Sequence, residues 1–156
     1  ARIGLMASKN KTLMATAMKF AQARLSPPTF AQIAAEAALD TPDSYFEDVV
    51  TEYRQRRNKV ISRLNAMDGV TCPEPKGAFY CLAQLPVVDA DLFCQWMLES
   101  FDHQGDTVMM APASGFYTHA ELGKHQVRVA YVLNLTDLDS AMDDLEAGLK
   151  AYPHKL

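Results

Sequence analysis

The sequence lacks the patterns that announce most enzymes. It has no GxGxxG, no P-loop, no HExxH and no GxSxG. Phosphate-cradling glycine loops, zinc-protease helices and nucleophile elbows therefore have no signature here. Cysteine is scarce: Cys72, Cys81 and Cys94 form no CxxC and no even set. An odd count without metal-ligand spacing fits a reducing compartment and buried structural thiols. No apolar run is long enough to span a membrane, and nothing reads as a signal peptide. The cytoplasm is the expected setting, and a membrane is not an expected partner. Blocks of positive charge are missing too, since the formal net charge is -4. The one dense basic stretch, Arg54, Arg56, Arg57 and Lys59, follows acidic residues in the same helical pattern and reads as a solvated face. Phosphate backbones need clustered Lys and Arg, so nucleic acid is not expected either. No repeat or low-complexity segment is visible.

What is present is a chain the size of one domain or one and a half small ones, 156 residues with 49% hydrophobic and 22% charged side chains. Ile3 to Ala7 reads as a short buried strand. Leu13, Met14, Ala17, Met18 and Ala21 follow at helical spacing, up to Leu25. After Ser26-Pro27-Pro28, Gln32 to Leu39 reads as an alanine-rich helix. A long helix then carries Phe46, Val49, Val50, Tyr53, Val60, Ile61 and Leu64 and runs to about Met67, roughly 38 Å at 1.5 Å per residue. Gly69 is its left-handed stop. From there the texture changes. Strands are predicted at Val70–Cys72, Ala78–Leu85, Thr107–Ala111 and Gln126–Val132. Asp89 is expected to cap a helix bearing Leu92, Phe93, Trp96, Met97 and Phe101. Thr136-x-x-Asp139 resembles a capping box before a last helix with Leu138, Met142, Leu145, Leu149 and Tyr152.

This order predicts an α/β fold of α+β type: a small, mainly antiparallel sheet flanked by helices and preceded by a long linking helix. Residues 41–156 make a plausible small domain that includes the linking helix. Residues 1–40 are a strand and helices whose sheet partners are not in the sequence, and a lone strand cannot satisfy its own backbone groups. Truncation is the expectation.

The four histidines fall in turns, loops or the tail, and neither His119/His125 nor Asp143/Asp144 has metal-ligand spacing. Asp137, Asp139, Asp143, Asp144 and Glu146 read as the solvated side of the last helix. Ser114 has no visible base. Two arginines stand out. Arg128 lies inside the strand VRVAYV, where a charge is costly unless it is paired or faces a cleft. Guanidinium is the group that grips a carboxylate with two prongs. From the residues alone, an arginine on an edge strand that faces solvent or makes a structural ion pair remains the alternative. Arg2 precedes the opening strand.

The series ARIG, SPPTFAQIAAEAAL, YRQRRNKVISRL, PKGAFY, APASGFY and VRVAYVLN resembles the C-terminal part of the class I/II, fold type I, pyridoxal-phosphate-dependent aminotransferases, the aspartate aminotransferase-like family. The likeness runs along the whole chain in order. It implies the C-terminal small domain of that fold in residues 41–156, with residues 1–40 a remnant of the large cofactor domain and linker. It implies pyridoxal 5'-phosphate as cofactor, and an amino acid and a 2-oxo acid as substrates. The family lysine that carries the cofactor sits in a pattern ending x-R-[IL]-G, and the sequence begins at that ending. No catalytic residue is therefore assigned within the chain, and by itself it is expected to be inactive. Arg2 matches the arginine that contacts the cofactor phosphate, and Arg128 the one that holds the substrate α-carboxylate. Gly77-Ala78-Phe79-Tyr80 matches the strand entry near the substrate cleft, where its role is backbone shape. APASGFY departs from the commoner PGxxFG, with Tyr117 in place of the last glycine. Arg24, just before SPP, has a spacing to the prolines that matches a side-chain carboxylate ligand poorly. The resemblance further implies a missing N-terminal domain and a homodimer. Lyases, decarboxylases and acyl transferases share the fold, and a stand-alone non-enzymatic module that binds a carboxylate or a partner is the reading outside enzymes.

Overall fold

A computed structural model describes residues 2–156. The chain divides into a first unit ending at Glu47 and a second from Asp48 to Leu156. Ile3 to Ala7, expected as a buried strand, has no regular structure and is exposed, Leu5 almost completely so. A strand exists only by pairing, and the described residues of this unit supply none to pair with. Two helices follow, the second beginning three residues before the expected Gln32. In α1, Lys11–Arg24, the Asn10 side chain accepts the Leu13 N–H as N-cap, and Arg24 closes the last turn. A cation there complements the negative end of the helix dipole. Leu25 breaks the helix at φ 66°, and α2 spans Thr29–Ala37 directly after the two prolines. Neither helix has a buried residue.

The long helix α3, Asp43–Ala66, carries the chain into the second unit. Its last turns bury Val60 and Leu64 completely. Gly69, at φ 72°, makes the left-handed stop, and a Cβ there would come within 2.9 Å of the Pro86 ring. The sheet has three strands: β1 Tyr80–Gln84, β2 Ala111–Pro112 and β3 Gln126–Ala130, in the order β1-β3-β2 and antiparallel throughout. Val70–Cys72, expected as a strand, contributes a single bridge between Thr71 and Gln84. Of Thr107–Ala111 only the last residue enters the sheet.

Alternation splits the sheet into two faces. Cys81, Ala83, Val127 and Val129 are buried against the helices, while Tyr80, Leu82, Gln84, Arg128 and Ala130 stand on the other face. Helix α4, Ala90–Glu99, is capped by the Asp89 carboxylate, which accepts the N–H groups of Asp91 and Leu92. Helix α5, Leu135–Ala151, starts ahead of the capping-box position, because Asn134 accepts the Thr136 and Asp137 N–H groups. The core consists of Val60, Leu64, Phe93, Met97, Leu138, Met142, Leu145 and the inner sheet face. Each such large side chain contributes about 1.5–3 kcal/mol by leaving water. Lys59 and Arg63 of α3 pair with Asp139 and Asp143 of α5, so the acidic helix face is partly an ion-pair seam. His103 reaches the largely buried Asp144 at 2.9 Å. The three thiols are free and buried. Among the described residues no helix is long and apolar enough to cross a membrane.

Candidate functional site

Arg128 lies on the central strand, between Leu82 of β1 and Ala111 of β2. The edge-strand alternative is thereby excluded. Its side chain is half-buried on the face that the helices do not cover. Two rings flank it. The Tyr80 ring centre lies 5.2 Å from the guanidinium carbon and that of Phe116 5.0 Å. One ring comes from β1, the other from the loop that follows β2, so they approach from the two sides of β3.

Among the described residues no carboxylate pairs with Arg128 and no acceptor takes its N–H groups, whereas Arg56, Arg57 and Arg63 are all committed. Arg56 holds Glu52 and the Val132 carbonyl, Arg57 holds Glu74 and the Pro75 carbonyl, and Arg63 holds Asp139 and Asp143. A guanidinium has five donors and no acceptor. Arg128 is thus a partly desolvated cation with a full set of free donors, suited to a planar oxyanion.

The loop carrying Phe116 is fastened at several points. The Ala113 N–H donates to the Gln126 carbonyl, and the Tyr117 hydroxyl to the Gln126 side-chain oxygen at 2.7 Å. Ser114 donates to Asp91 at the start of α4, its one contact with an acid and no base. Gly123 lies under the loop, where a Cβ would come within 2.5 Å of the Ala113 carbonyl oxygen. Tyr117, the departure from the family pattern, is a tether here.

The Gly77–Tyr80 segment leads into β1. Ala78 adopts φ 62°, and its carbonyl accepts the Tyr131 hydroxyl at 3.2 Å. A separate groove of about 470 Å³ runs beside this turn, with Tyr53, Arg57, Phe79 and Tyr131 among its lining, and Arg128 is not part of it.

Arg2 is exposed in the first unit. It shares one hollow with Ile3, Gly4 and Arg24, and neither arginine has an ion-pair partner among the described residues. Sequence spacing gave no reason to join Arg24 to Arg2. No group of His, Cys, Asp and Glu could hold a metal among the described residues. Burial and the nearby Asp91 charge push the Cys94 thiol up to about 11, so it is no nucleophile.

A family model described as aminotransferase class I and II matches residues 1–145. An aspartate aminotransferase of Pyrococcus horikoshii is 32% identical over 126 residues, 78% of this chain and 30% of the relative. Aromatic-amino-acid aminotransferase 2 of Thermococcus litoralis is 36% identical over 126 residues, 80% of this chain and 31% of the relative. Among solved structures, an alanine aminotransferase from Pyrococcus furiosus superposes with TM-score 0.74 at 28% identity, covering 92% of this chain and 36% of that one. An aspartate aminotransferase from Thermotoga maritima gives TM-score 0.71 at 30% identity, covering 92% and 34%.

The fold is that of the C-terminal part of the fold type I pyridoxal-phosphate-dependent transferases. The chain belongs to the class I and II aminotransferases. It spans about a third of the length of the curated relatives it matches, 30% of the Pyrococcus horikoshii aspartate aminotransferase and 37% of one from Rhizobium meliloti.

Proposed function

We propose that the chain is the C-terminal part of an aminotransferase that moves an amino group between an amino acid and a 2-oxo acid, with Arg128 holding the substrate α-carboxylate. The observation that carries this is the uncommitted guanidinium on the central strand. A charge held half-buried without a partner is costly unless a ligand supplies one. A carboxylate engages it through two parallel N–H···O bonds. That fixes the Cα substituents relative to whatever group lies beyond, which is a positioning role.

The residues present fit one end of the family's cofactor. Arg2 and Arg24 on one hollow provide two cations suited to a phosphate dianion, and charge-assisted bonds to phosphate are the stronger kind. Arg2 would hold that phosphate, with Arg24 adding positive charge beside it. Pyridoxal phosphate, when bound, supplies the electron sink for chemistry at the substrate Cα. The chain's share is to bind and orient. Residues 1–40 belong on this reading to the cofactor domain and linker, and 41–156 to the small domain. The remaining N-terminal domain, a homodimeric assembly and a cytoplasmic location complete the proposal. The 156 residues alone are not expected to transaminate, since they span about a third of the length of their relatives.

The test is an assay of the full-length enzyme carrying this segment, loaded with pyridoxal phosphate. L-aspartate, L-alanine and L-phenylalanine, each with 2-oxoglutarate, are the substrates to try. Formation of glutamate and of the matching 2-oxo acid supports the reading. An eliminated fragment, carbon dioxide or no reaction with any amino acid counts against it.

A further inference from the structure

The two rings on Arg128 lie outside the roles assigned so far. We propose that Tyr80 and Phe116 are positioning residues that hold the Arg128 guanidinium in place for a carboxylate without using any of its donors; this rests on Arg128 being the carboxylate ligand.

An arginine side chain is long and loses much rotamer entropy when fixed. Proteins commonly fix it with an acidic partner, as happens here at Arg56, Arg57 and Arg63. An acid on Arg128 would occupy the N–H groups that must meet the substrate, and would repel the substrate's negative charge. An aromatic face avoids both costs, because the ring quadrupole attracts the cation and accepts no N–H in the guanidinium plane. The rings meet that requirement at 5.2 and 5.0 Å, both inside the cation–π range of about 6 Å.

Each ring has its own support. Tyr80 opens β1 in register with Ala130, and its ring meets Phe79 edge-on at 5.4 Å. Phe116 closes a short 3-10 turn, Ser114–Phe116, held at its start by the Ser114 bond to Asp91 and just past its end by the Tyr117 bond to Gln126. Both rings stay partly open, 40% exposed for Tyr80 and 52% for Phe116. They therefore pack on the guanidinium rather than in the core, and a substitution there spares the fold.

The test measures steady-state kinetics of the full-length enzyme, with whichever of L-aspartate, L-alanine and L-phenylalanine it turns over fastest. Tyr80→Leu and Phe116→Leu keep apolar bulk and remove the π face. Each is expected to raise KM about two- to fivefold, the worth of one exposed cation–π contact, with kcat within about twofold. Phe116→Tyr keeps the face and is expected to keep the parent KM. Arg128→Lys is measured alongside. A raised KM for Arg128→Lys with unchanged KM for both Leu variants overturns the ring proposal and leaves the carboxylate reading standing. An equal rise for Phe116→Tyr and Phe116→Leu also overturns it, because the π face is then not what matters. An unchanged KM for Arg128→Lys overturns the carboxylate reading and the ring proposal with it.

Discussion

Gly123 lies directly under the Ala113 carbonyl, so close that a Cβ on it would stand 2.5 Å from the carbonyl oxygen and 2.7 Å from the Tyr117 ring. This contact sets the loop that brings Phe116 to Arg128.

Gly123→Ala is therefore expected to displace the Ala113–Tyr117 loop, because the nearest opposing atoms, the Ala113 carbonyl, are backbone and cannot rotate away. Overpacking of this kind costs about 1–3 kcal/mol. Gly148→Ala is the internal contrast: its Cβ would meet the end of the Met97 side chain, which is flexible and can swing aside. Urea unfolding should show a clearly larger loss for Gly123→Ala than for Gly148→Ala. The reverse order would contradict the role given to the loop contact.

Ala78 holds a left-handed backbone at φ 62°. Left-handed backbone costs an L residue roughly 1–2 kcal/mol. Ala78→Gly is expected to leave stability equal or slightly higher, the relief being offset by the freer unfolded chain. Ala78→Val, with its branched Cβ, should destabilise by more than about 1 kcal/mol. Denaturation midpoints of the two variants give the answer, and a stable Ala78→Val would exclude the left-handed turn.

Asp139 joins Lys59 and Arg63 across the α3–α5 seam, and the Lys59 hydrogen bond, helped by both positive charges, holds its carboxyl below the ordinary value of 3.8. A carboxyl depressed in the folded state stabilises fully above its unfolded value and loses that contribution as pH falls through the folded one. Stability should thus fall as pH drops below about 4. Asp139→Asn should flatten that part of the profile. An identical acid limb in the variant would count against the seam.

The three cysteines are free and buried. Burial, with Asp91 nearby, raises Cys94 to about 11, and the contact with Cys72 together with burial also raises Cys81. A thiol reagent at neutral pH should leave Cys81 and Cys94 unlabelled in the native protein and label all three thiols after unfolding. Rapid labelling of Cys81 or Cys94 in the native protein would contradict the burial.

Much of this was legible in the sequence, for physical reasons that can be named. Apolar spacing fixed the helices, since Val60, Leu64, Leu138, Met142 and Leu145 recur with the helical period and are all buried. Alternation in VRVAYV placed Arg128 opposite Val127 and Val129, as found. Ile3–Ala7 misled because apolar content marks a strand only where a partner exists. The same limit shortened Thr107–Ala111 to one sheet residue. Thr136 lost the cap to Asn134 because capping is decided by where the chain turns, which the motif alone does not fix. The rings on Arg128 were not legible. Tyr80, Phe116 and Arg128 are distant in the chain, and only the strand order β1-β3-β2 brings them together. The pairing of Arg2 with Arg24 was hidden in the same way, since no local spacing connects the end of α1 to the opening residues.

The most direct measurement of the central claim is the KM for the amino acid substrate in the full-length enzyme with Arg128→Lys. Lysine keeps the charge but not the two-pronged grip. Losing one charge-assisted bond, about 1.5–3 kcal/mol, predicts a rise in KM of roughly 10-fold or more. A KM equal to the parent's would mean that Arg128 does not hold the substrate carboxylate.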